Sequence, residues 1–293
     1  MYLRTHKITP YIYILPMSLI LLFVYGYSIV KVVGFSFRRI RGITGEFIGI
    51  DNYKFVLKDP IFQKAVLNNL MLFILIPLLV IVSIIFAVLL FERIKGWKFY
   101  RVALFLPYIL AIPVAGVIFG YMFTKNGIIN EFLRTIHLNF LEIDWLGEPK
   151  VALWTLMIVI FWKEVGFGIA LFLARLMSVD ESIYDSASID GASWWGKLIY
   201  ITIPQLRTII EFFTIITVIN MLSWVFAYSY TVTMGGPGWS TIVMELYVYN
   251  KLARSQLPSP GVASAASVIL LLITIVFIII SYRFRKRGIE SEE

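Results

Sequence analysis

Long apolar segments alternate with short polar ones along the whole chain, and six of the apolar segments are long enough to cross a membrane. A helix needs about 20 mostly apolar residues to cross about 30 Å of hydrocarbon. The pattern therefore predicts an all-α membrane protein, with residues 1–293 forming one transmembrane domain. The six predicted spans cover residues 11–33, 67–91, 102–124, 151–176, 207–231 and 264–282.

The composition excludes an ordinary soluble protein. The 293 residues are 59% hydrophobic and only 15% charged, whereas soluble domains carry about 25% charged residues. The chain has no cysteine, which rules out disulfides, thiolate metal sites and a cysteine nucleophile. The net charge of +8 could indicate nucleic acid, but in a membrane protein such charge flanks the spans, so we predict no nucleic-acid partner.

The distribution of basic residues favours cytoplasmic termini. An even number of crossings puts both termini on the same side of the membrane. With the termini inside, the second inner segment and the C-terminal segment are densely basic next to helix ends, as the positive-inside rule expects. The excess of basic residues in the inner segments over the outer ones is small, because the first outer loop contains Arg38, Arg39 and Arg41.

The longest inner loop, residues 177–206, has the pattern of two short amphipathic helices. Asp180 is suited to cap a helix that begins at Glu181, and Gly191 is suited to the turn that ends it. Ser193 is suited to cap a second helix, which we expect to end before Pro204. The sequence therefore predicts a helix-turn-helix on the cytoplasmic face, with small exposed residues that suit a protein partner.

This loop resembles the EAA loop of ABC importer permeases. The family pattern is Glu-Ala-Ala, three residues, Gly, and then a proline about a dozen residues later. Here Asp185-Ser186-Ala187 stands for Glu-Ala-Ala, and Gly191 and Pro204 keep the family spacing. The residues that the resemblance assigns to coupling are Tyr184, Asp185, Ser186, Ala187, Asp190, Gly191 and Ala192.

Four further stretches resemble the sugar-permease branch of that family, in the family's order along the chain. Residues 47–53 are similar to its FxGxxNY signature, and residues 105–107 to the start of its third span. Residues 127–130 follow that span, and residues 233–237 are similar to TxGGP after the fifth. Within the last stretch, the outer-loop candidates are Gly235, Gly236 and Pro237.

The resemblance implies a type I ABC importer permease of six transmembrane helices, in a bacterial or archaeal cell membrane. It implies a carbohydrate as the solute and alternating access as the mechanism. The implied partners are a second homologous permease, two ATP-binding subunits, an extracytoplasmic solute-binding protein and membrane lipid. ATP and magnesium would bind the ATP-binding subunits, so no cofactor and no enzymatic activity are expected in this chain.

One motif is typical of a nucleotide-binding loop, but we reject that interpretation. Residues 191–197 match GxxxxGK, the start of a phosphate-binding loop, but Leu198 replaces the Ser or Thr that holds magnesium. Two tryptophans also occupy a loop whose backbone would have to wrap phosphates. We therefore expect nucleotide binding in a partner.

Two charged residues, Lys163 and Glu164, lie inside the fourth span. A charge within a span costs about 2.5–3.5 kcal/mol on insertion scales, so such residues face partners or a cavity. They are candidates either for structural pairing or for contact with the solute.

The fifth span contains a polar and aromatic stripe. Thr217, Asn220, Trp224 and Tyr228 are spaced by three and four residues, and Ser223 lies beside Asn220. Hydrogen-bonding groups between aromatic rings suit a hydroxyl-rich ligand. The alternative is that these residues make helix–helix contacts.

Two other functional classes remain open. The solute could be a polyol, a glycerol phosphodiester or a peptide-like compound, because the shared motifs concern coupling rather than the ligand. A membrane-embedded enzyme is the more distant alternative. The sequence contains no catalytic constellation and no metal-ligand spacing, and His6 and His137 are isolated loop residues.

Overall fold

The computed structural model describes residues 9–41, 44–255 and 258–290, and their secondary structure is mostly helical. The regular elements, in chain order, are α1 (Thr9–Leu21), α2 (Tyr27–Ser36), β1 (Arg38–Arg41), β2 (Thr44–Phe47), α3 (Asp51–Lys58), α4 (Pro60–Leu72), α5 (Leu75–Phe91), α6 (Trp97–Ile109), α7 (Ile112–Met122), α8 (Ile128–Thr135), α9 (Pro149–Leu176), α10 (Glu181–Ile189), α11 (Trp194–Lys197), α12 (Ile203–Ser223), α13 (Val225–Tyr228), α14 (Met244–Tyr249) and α15 (Pro260–Glu290).

Five helical stretches of the described chain are long and apolar enough to cross a membrane. A sixth span is a broken one, because α6 and α7 pass the same test together but meet at an angle of 100°. This gives the six transmembrane helices expected from the sequence. The five unbroken stretches are Pro10–Ser36, Pro60–Phe91, Pro149–Leu176, Trp194–Ser223 and Pro260–Ile280.

The expectation that the second helix of the inner loop ends before Pro204 was wrong. The chain stays helical from Trp194 to Ser223. A π-helical turn at Leu198–Thr202 directly precedes the proline. Pro204 is the second residue of α12, and the π-helical turn before it accommodates its missing N–H within a continuous helix.

Two compact units make up the chain: Met1–Phe62 with Tyr247–Leu272, and Gln63–Leu246 with Ile273–Glu293. In the second unit, α5, α9 and α12 pack together around Gly168. A Cβ at Gly168 would lie 2.4 Å from the Ser83 hydroxyl and 2.7 Å from the Phe213 ring, so only glycine permits this approach. Ser83 donates to the Val165 carbonyl (3.1 Å), which ties α5 to α9.

In the first unit, the residues similar to FxGxxNY attach a β-hairpin to the end of α2. β1 and β2 pair antiparallel, and Gly49 has a positive φ of 61° at the turn into α3. The buried Asn52 amide donates to the carbonyls of Ser36 (2.8 Å) and Arg38 (2.9 Å). The Tyr53 hydroxyl bonds the Ser36 hydroxyl at 2.6 Å. This motif therefore acts by fixing a loop.

Asp59 joins three segments of the same unit. Its carboxylate accepts from the Tyr247 hydroxyl (2.8 Å) and the Ile61 amide (2.9 Å), and it pairs with Lys251 (3.0 Å). The Asp59 side chain is only 8% exposed. Burial raises the pKa of Asp59, but the hydrogen bonds from Tyr247, Lys251 and Ile61 outweigh it, so the pKa lies below its usual value.

We predict that Asp59→Asn lowers the free energy of unfolding by about 1–3 kcal/mol, because it leaves Lys251 without its carboxylate. The lowered pKa of Asp59 means that its contribution is complete above the ordinary carboxyl pKa and is lost as the pH falls through the lowered one. Unfolding in detergent, measured against pH, tests both points.

Asp51→Asn is the matched control. Asp51 pairs with Lys54 at 3.2 Å, but both side chains are about 60% exposed, and such pairs contribute about 0–1 kcal/mol. Equal destabilisation by the two substitutions would contradict the assigned role of Asp59.

Candidate functional site

The second unit contains a cavity of about 560 Å³ where α6, α9, α12 and α13 meet. Its wall combines aromatic rings with charged and amide groups and a majority of apolar side chains. Five of the residues singled out from the sequence line it. The complete lining is Phe105, Tyr108, Ile109, Ile112, Ile160, Lys163, Glu164, Asn220, Met221, Trp224, Val225 and Tyr228.

Lys163 and Glu164 each have a separate partner across the cavity. The buried Lys163 ammonium donates to the Tyr108 carbonyl (3.1 Å) and lies 5.2 Å from the Tyr108 ring centroid. That carbonyl belongs to the last turn of α6, where carbonyls lose their intrahelical donors. Glu164 accepts a hydrogen bond from the Tyr228 hydroxyl. Lys163 therefore binds the end of α6 at the helix break, and Glu164 binds the Tyr228 side chain, rather than each other.

The polar stripe of the fifth span divides at a break in the helix. α12 ends at Ser223, and Trp224 has non-helical dihedral angles before α13 begins. Asn220, Trp224 and Tyr228 line the cavity, whereas Thr217 and Ser223 are not among its lining residues. The Thr217 hydroxyl donates to the Phe213 carbonyl of its own helix at 2.7 Å.

Sequence reasoning missed the contribution of α6. Phe105, Tyr108 and Ile109 line the cavity because α6 stops there and the chain turns by 100° into α7. Leu110 and Ala111 are extended between the two helices. The signal was present in Pro107 and Pro113, since prolines interrupt the helical hydrogen-bond ladder.

The inner loop forms α10 and α11, as the sequence predicts. Asp180 accepts from the Ser182 amide (2.9 Å), and Ser193 accepts from the Gly196 amide (3.2 Å), so both predicted caps are present. The hydrogen bonds from Ser182 hold the pKa of Asp180 below its usual value. Gly191 ends α10 with a φ of 80°, a conformation that favours glycine.

Hydrogen bonds attach the two short helices to the residues directly after α5 and directly before α12. Trp194 donates to Glu92 after α5 (3.2 Å), and the Tyr184 hydroxyl bonds Thr202 (3.2 Å). The Tyr184 ring lies 5.5 Å from that of Phe91. Together with Asp185, several of these residues line a small cavity of about 150 Å³.

The other side of α10 faces outward. Ile189 is 87% exposed, an unusual position for a large aliphatic side chain. Ala187 is half-buried. The exposed residues of the EAA resemblance are Asp185, Ser186, Asp190, Gly191 and Ala192.

The outer-loop candidates lie in a compact turn after α13. Gly235 has a φ of 82°, and its amide donates to the Ser229 carbonyl at 3.2 Å. The Thr241 hydroxyl donates to the Gly236 carbonyl (2.8 Å) and also bonds the Thr233 hydroxyl (2.6 Å). Pro237 follows Gly236 through a cis peptide bond. These contacts hold residues 233–241 in a closed loop.

The fold is that of solved ABC importers. A bacterial ABC transporter involved in the import of the acidic polysaccharide alginate matches with a TM-score of 0.79 and 23% identity, covering 95% of both chains. The alginate transporter in complex with its pentasaccharide-bound periplasmic protein matches with a TM-score of 0.80 and 22% identity, over 95% of this chain and 94% of that one.

Curated relatives match over nearly the full length, although no family model matches. The lactose transport system permease protein LacF of Rhizobium radiobacter is 30% identical over 288 residues, which is 97% of this chain and 96% of that protein. The arabinooligosaccharides transport system permease protein AraP of Halalkalibacterium halodurans is 30% identical over 94% of this chain and 87% of that protein. The chain, a membrane protein, therefore belongs to the ABC importer permeases of the binding-protein-dependent sugar transport family.

Proposed function

We propose that this chain is the translocation subunit of an ATP-driven importer and that its solute is a carbohydrate. The observation that carries the proposal is the cavity, where Tyr108, Trp224 and Tyr228 surround the polar groups of Asn220 and Glu164. Rings cover the C–H faces of a sugar, while amide and carboxylate groups exchange hydrogen bonds with its hydroxyls. The names of LacF and AraP, which concern lactose and arabinooligosaccharides, support the same solute class.

Energy would reach the cavity through α10 and α11. In the proposed mechanism, ATP and magnesium bind two partner subunits, whose closure moves these coupling helices. Trp194 attaches them to Glu92, directly after α5, and Tyr184 attaches them to Thr202, directly before α12. Because α12 leads directly to Asn220 and Trp224, movement at the cytoplasmic end reorients the wall of the cavity. The spans then rock around a mid-membrane site, giving alternating access.

The remaining proposed partners follow from the exposed surfaces of a membrane subunit. The stretch Pro10–Ser36 is apolar and has none of its span window buried, which suits contact with lipid and with a second homologous permease. The solute-binding protein would deliver the solute at the outer face, near Gly235, Gly236 and Pro237. Both termini would be cytoplasmic, as the basic residues of the inner segments favour.

A panel of solutes tests the carbohydrate proposal against its alternatives. ATPase activity of the assembled transporter, reconstituted with its binding protein, should rise with an oligosaccharide such as lactose or an arabinooligosaccharide. A response confined to glycerol, a glycerol phosphodiester or a peptide would instead support the alternative solutes. Chemical conversion of a solute by this chain alone would support the membrane-embedded enzyme.

We predict that Trp224→Ala lowers the rate of solute uptake at least about tenfold without lowering the temperature of unfolding. Trp224 is 63% exposed and lines the cavity, so its removal costs little core packing but takes away a ring proposed to contact the solute. Uptake and thermal unfolding, measured on the same preparation, separate the two effects.

Phe212→Ala is the matched control, because Phe212 is an exposed aromatic residue of the same helix (46%) outside the cavity lining. Its transport should stay within about twofold of wild type. If Trp224→Ala and Phe212→Ala transport equally well, the cavity is not the solute site.

A further prediction concerns the coupling surface. Ile189→Glu should release the ATP-binding subunits during purification and abolish solute-stimulated ATP hydrolysis, because a charge would enter an apolar contact. The fold should be unaffected, since Ile189 is 87% exposed.

Ile189→Leu keeps the apolar surface and should retain coupling. Phe140→Glu is the control for added charge at another exposed site, since Phe140 is 78% exposed and lies outside the spans. Full copurification of the ATP-binding subunits with the Ile189→Glu chain would refute α10 as a coupling helix.

A further inference from the structure

One buried carboxyl group has no role in the cavity or the coupling surface. Glu245 is the second residue of α14 and lies outside the spans. Both of its carboxyl oxygens are inaccessible to solvent, and neither accepts a hydrogen bond. Its neighbours along the chain, Val243, Met244 and Leu246, are at most 1% exposed. The neighbours of this ionisable group along the chain are apolar, and no charged side chain among the described residues compensates it.

The carboxyl group lies beside a junction made by two asparagines. The Asn69 carbonyl accepts from the Met244 amide (2.9 Å), and its amide donates to the Met221 carbonyl (3.0 Å). The Asn68 amide donates to the carbonyls of Ser240 and Ile242, both at 2.8 Å. Through these bonds α4 holds the segment before α14 and the end of α12 together.

The neutral form of Glu245 suits this setting better than the charged form. A buried carboxylate without a partner is far more costly than a carboxylic acid. Burial raises the pKa of Glu245 from 4.5 to about 7, although its own backbone N–H and the nearby Asn69 amide both lower it. Neither of these two groups is charged.

We propose that Glu245 is a proton-binding site that controls the junction between α4 and the segment before α14. With its proton, Glu245 stays buried and the Asn69 and Asn68 bonds hold. Without it, the carboxylate draws α14 toward water and the junction opens. Met221, whose carbonyl is held by Asn69, lines the cavity, so proton loss would loosen the cavity wall. That consequence rests on the proposed function, whereas the proton site does not.

The direction of the pH effect follows from the raised pKa of Glu245. Burial of protonated Glu245 stabilises the closed junction fully below the ordinary carboxyl pKa of 4.5. This stabilisation is lost as the pH rises through about 7. Between these limits, opening of the junction should increase by up to about tenfold per pH unit, and above them it should level off.

Thiol labelling of one introduced cysteine tests the proposal, because the chain has no cysteine of its own. Ile242 is fully buried at the junction. In the full-length chain, expressed with its partners and solubilised in detergent, Ile242→Cys should react with maleimide increasingly fast from pH 5 to 7. Ile128→Cys, at a residue 68% exposed in α8, corrects for thiol ionisation.

The same labelling in a Glu245→Gln background should show no pH dependence beyond that of Ile128→Cys. Glu245→Met serves the same purpose if the glutamine variant does not fold, and Glu148→Gln, at an exposed carboxyl, should retain the wild-type profile.

In addition, the infrared band of a protonated carboxyl should be present at pH 5 and disappear by pH 9. A corrected Ile242→Cys profile that is flat from pH 5 to 8 would overturn the proposal. So would a profile unchanged by Glu245→Gln or Glu245→Met. Neither measurement needs the solute, so failure of the carbohydrate proposal would leave this result standing.

Discussion

In a chain this apolar, the backbone N–H and C=O groups at the ends and breaks of helices need hydrogen-bond partners within the protein. The hydrocarbon of a membrane offers none. Four asparagines meet much of this requirement. Asn52, Asn68 and Asn130 each donate to two backbone carbonyls of other segments, and Asn69 bonds one carbonyl and one amide. These side chains fix the loops and the ends of the spans, and the placement of the cavity depends on them.

The cavity arises where two spans break, and the same constraint explains its polar lining. The break after α6 frees the Tyr108 carbonyl, which Lys163 then binds. The break after α12 lies next to the Met221 carbonyl, which Asn69 binds. A charged residue inside a span therefore has a structural role at the same place where it can contact a solute. The structural pairing and the solute contact proposed for Lys163 are compatible.

Local features of the inner loop were predictable residue by residue. The caps at Asp180 and Ser193 and the left-handed Gly191 depend only on neighbouring backbone, so a short stretch of sequence specifies them. The continuation of the helix past Pro204 was not predictable in this way. It depends on the π-helical turn before the proline, which accommodates the missing N–H within a longer helix.

The sequence by itself determined the six apolar spans, the two short inner helices and the motifs that place the chain in its family. Each of these depends on contiguous residues, on hydrophobic length or on capping. Only the tertiary structure decided which polar residues meet. Tyr108 and Lys163 are 55 positions apart, and Tyr228 and Glu164 are 64 apart. It also decided that the carboxyl group of Glu245 is buried and that Thr217 lies outside the cavity lining. The reason is physical: periodicity specifies the face of a single helix, whereas breaks and long-range packing determine which faces enclose a common space.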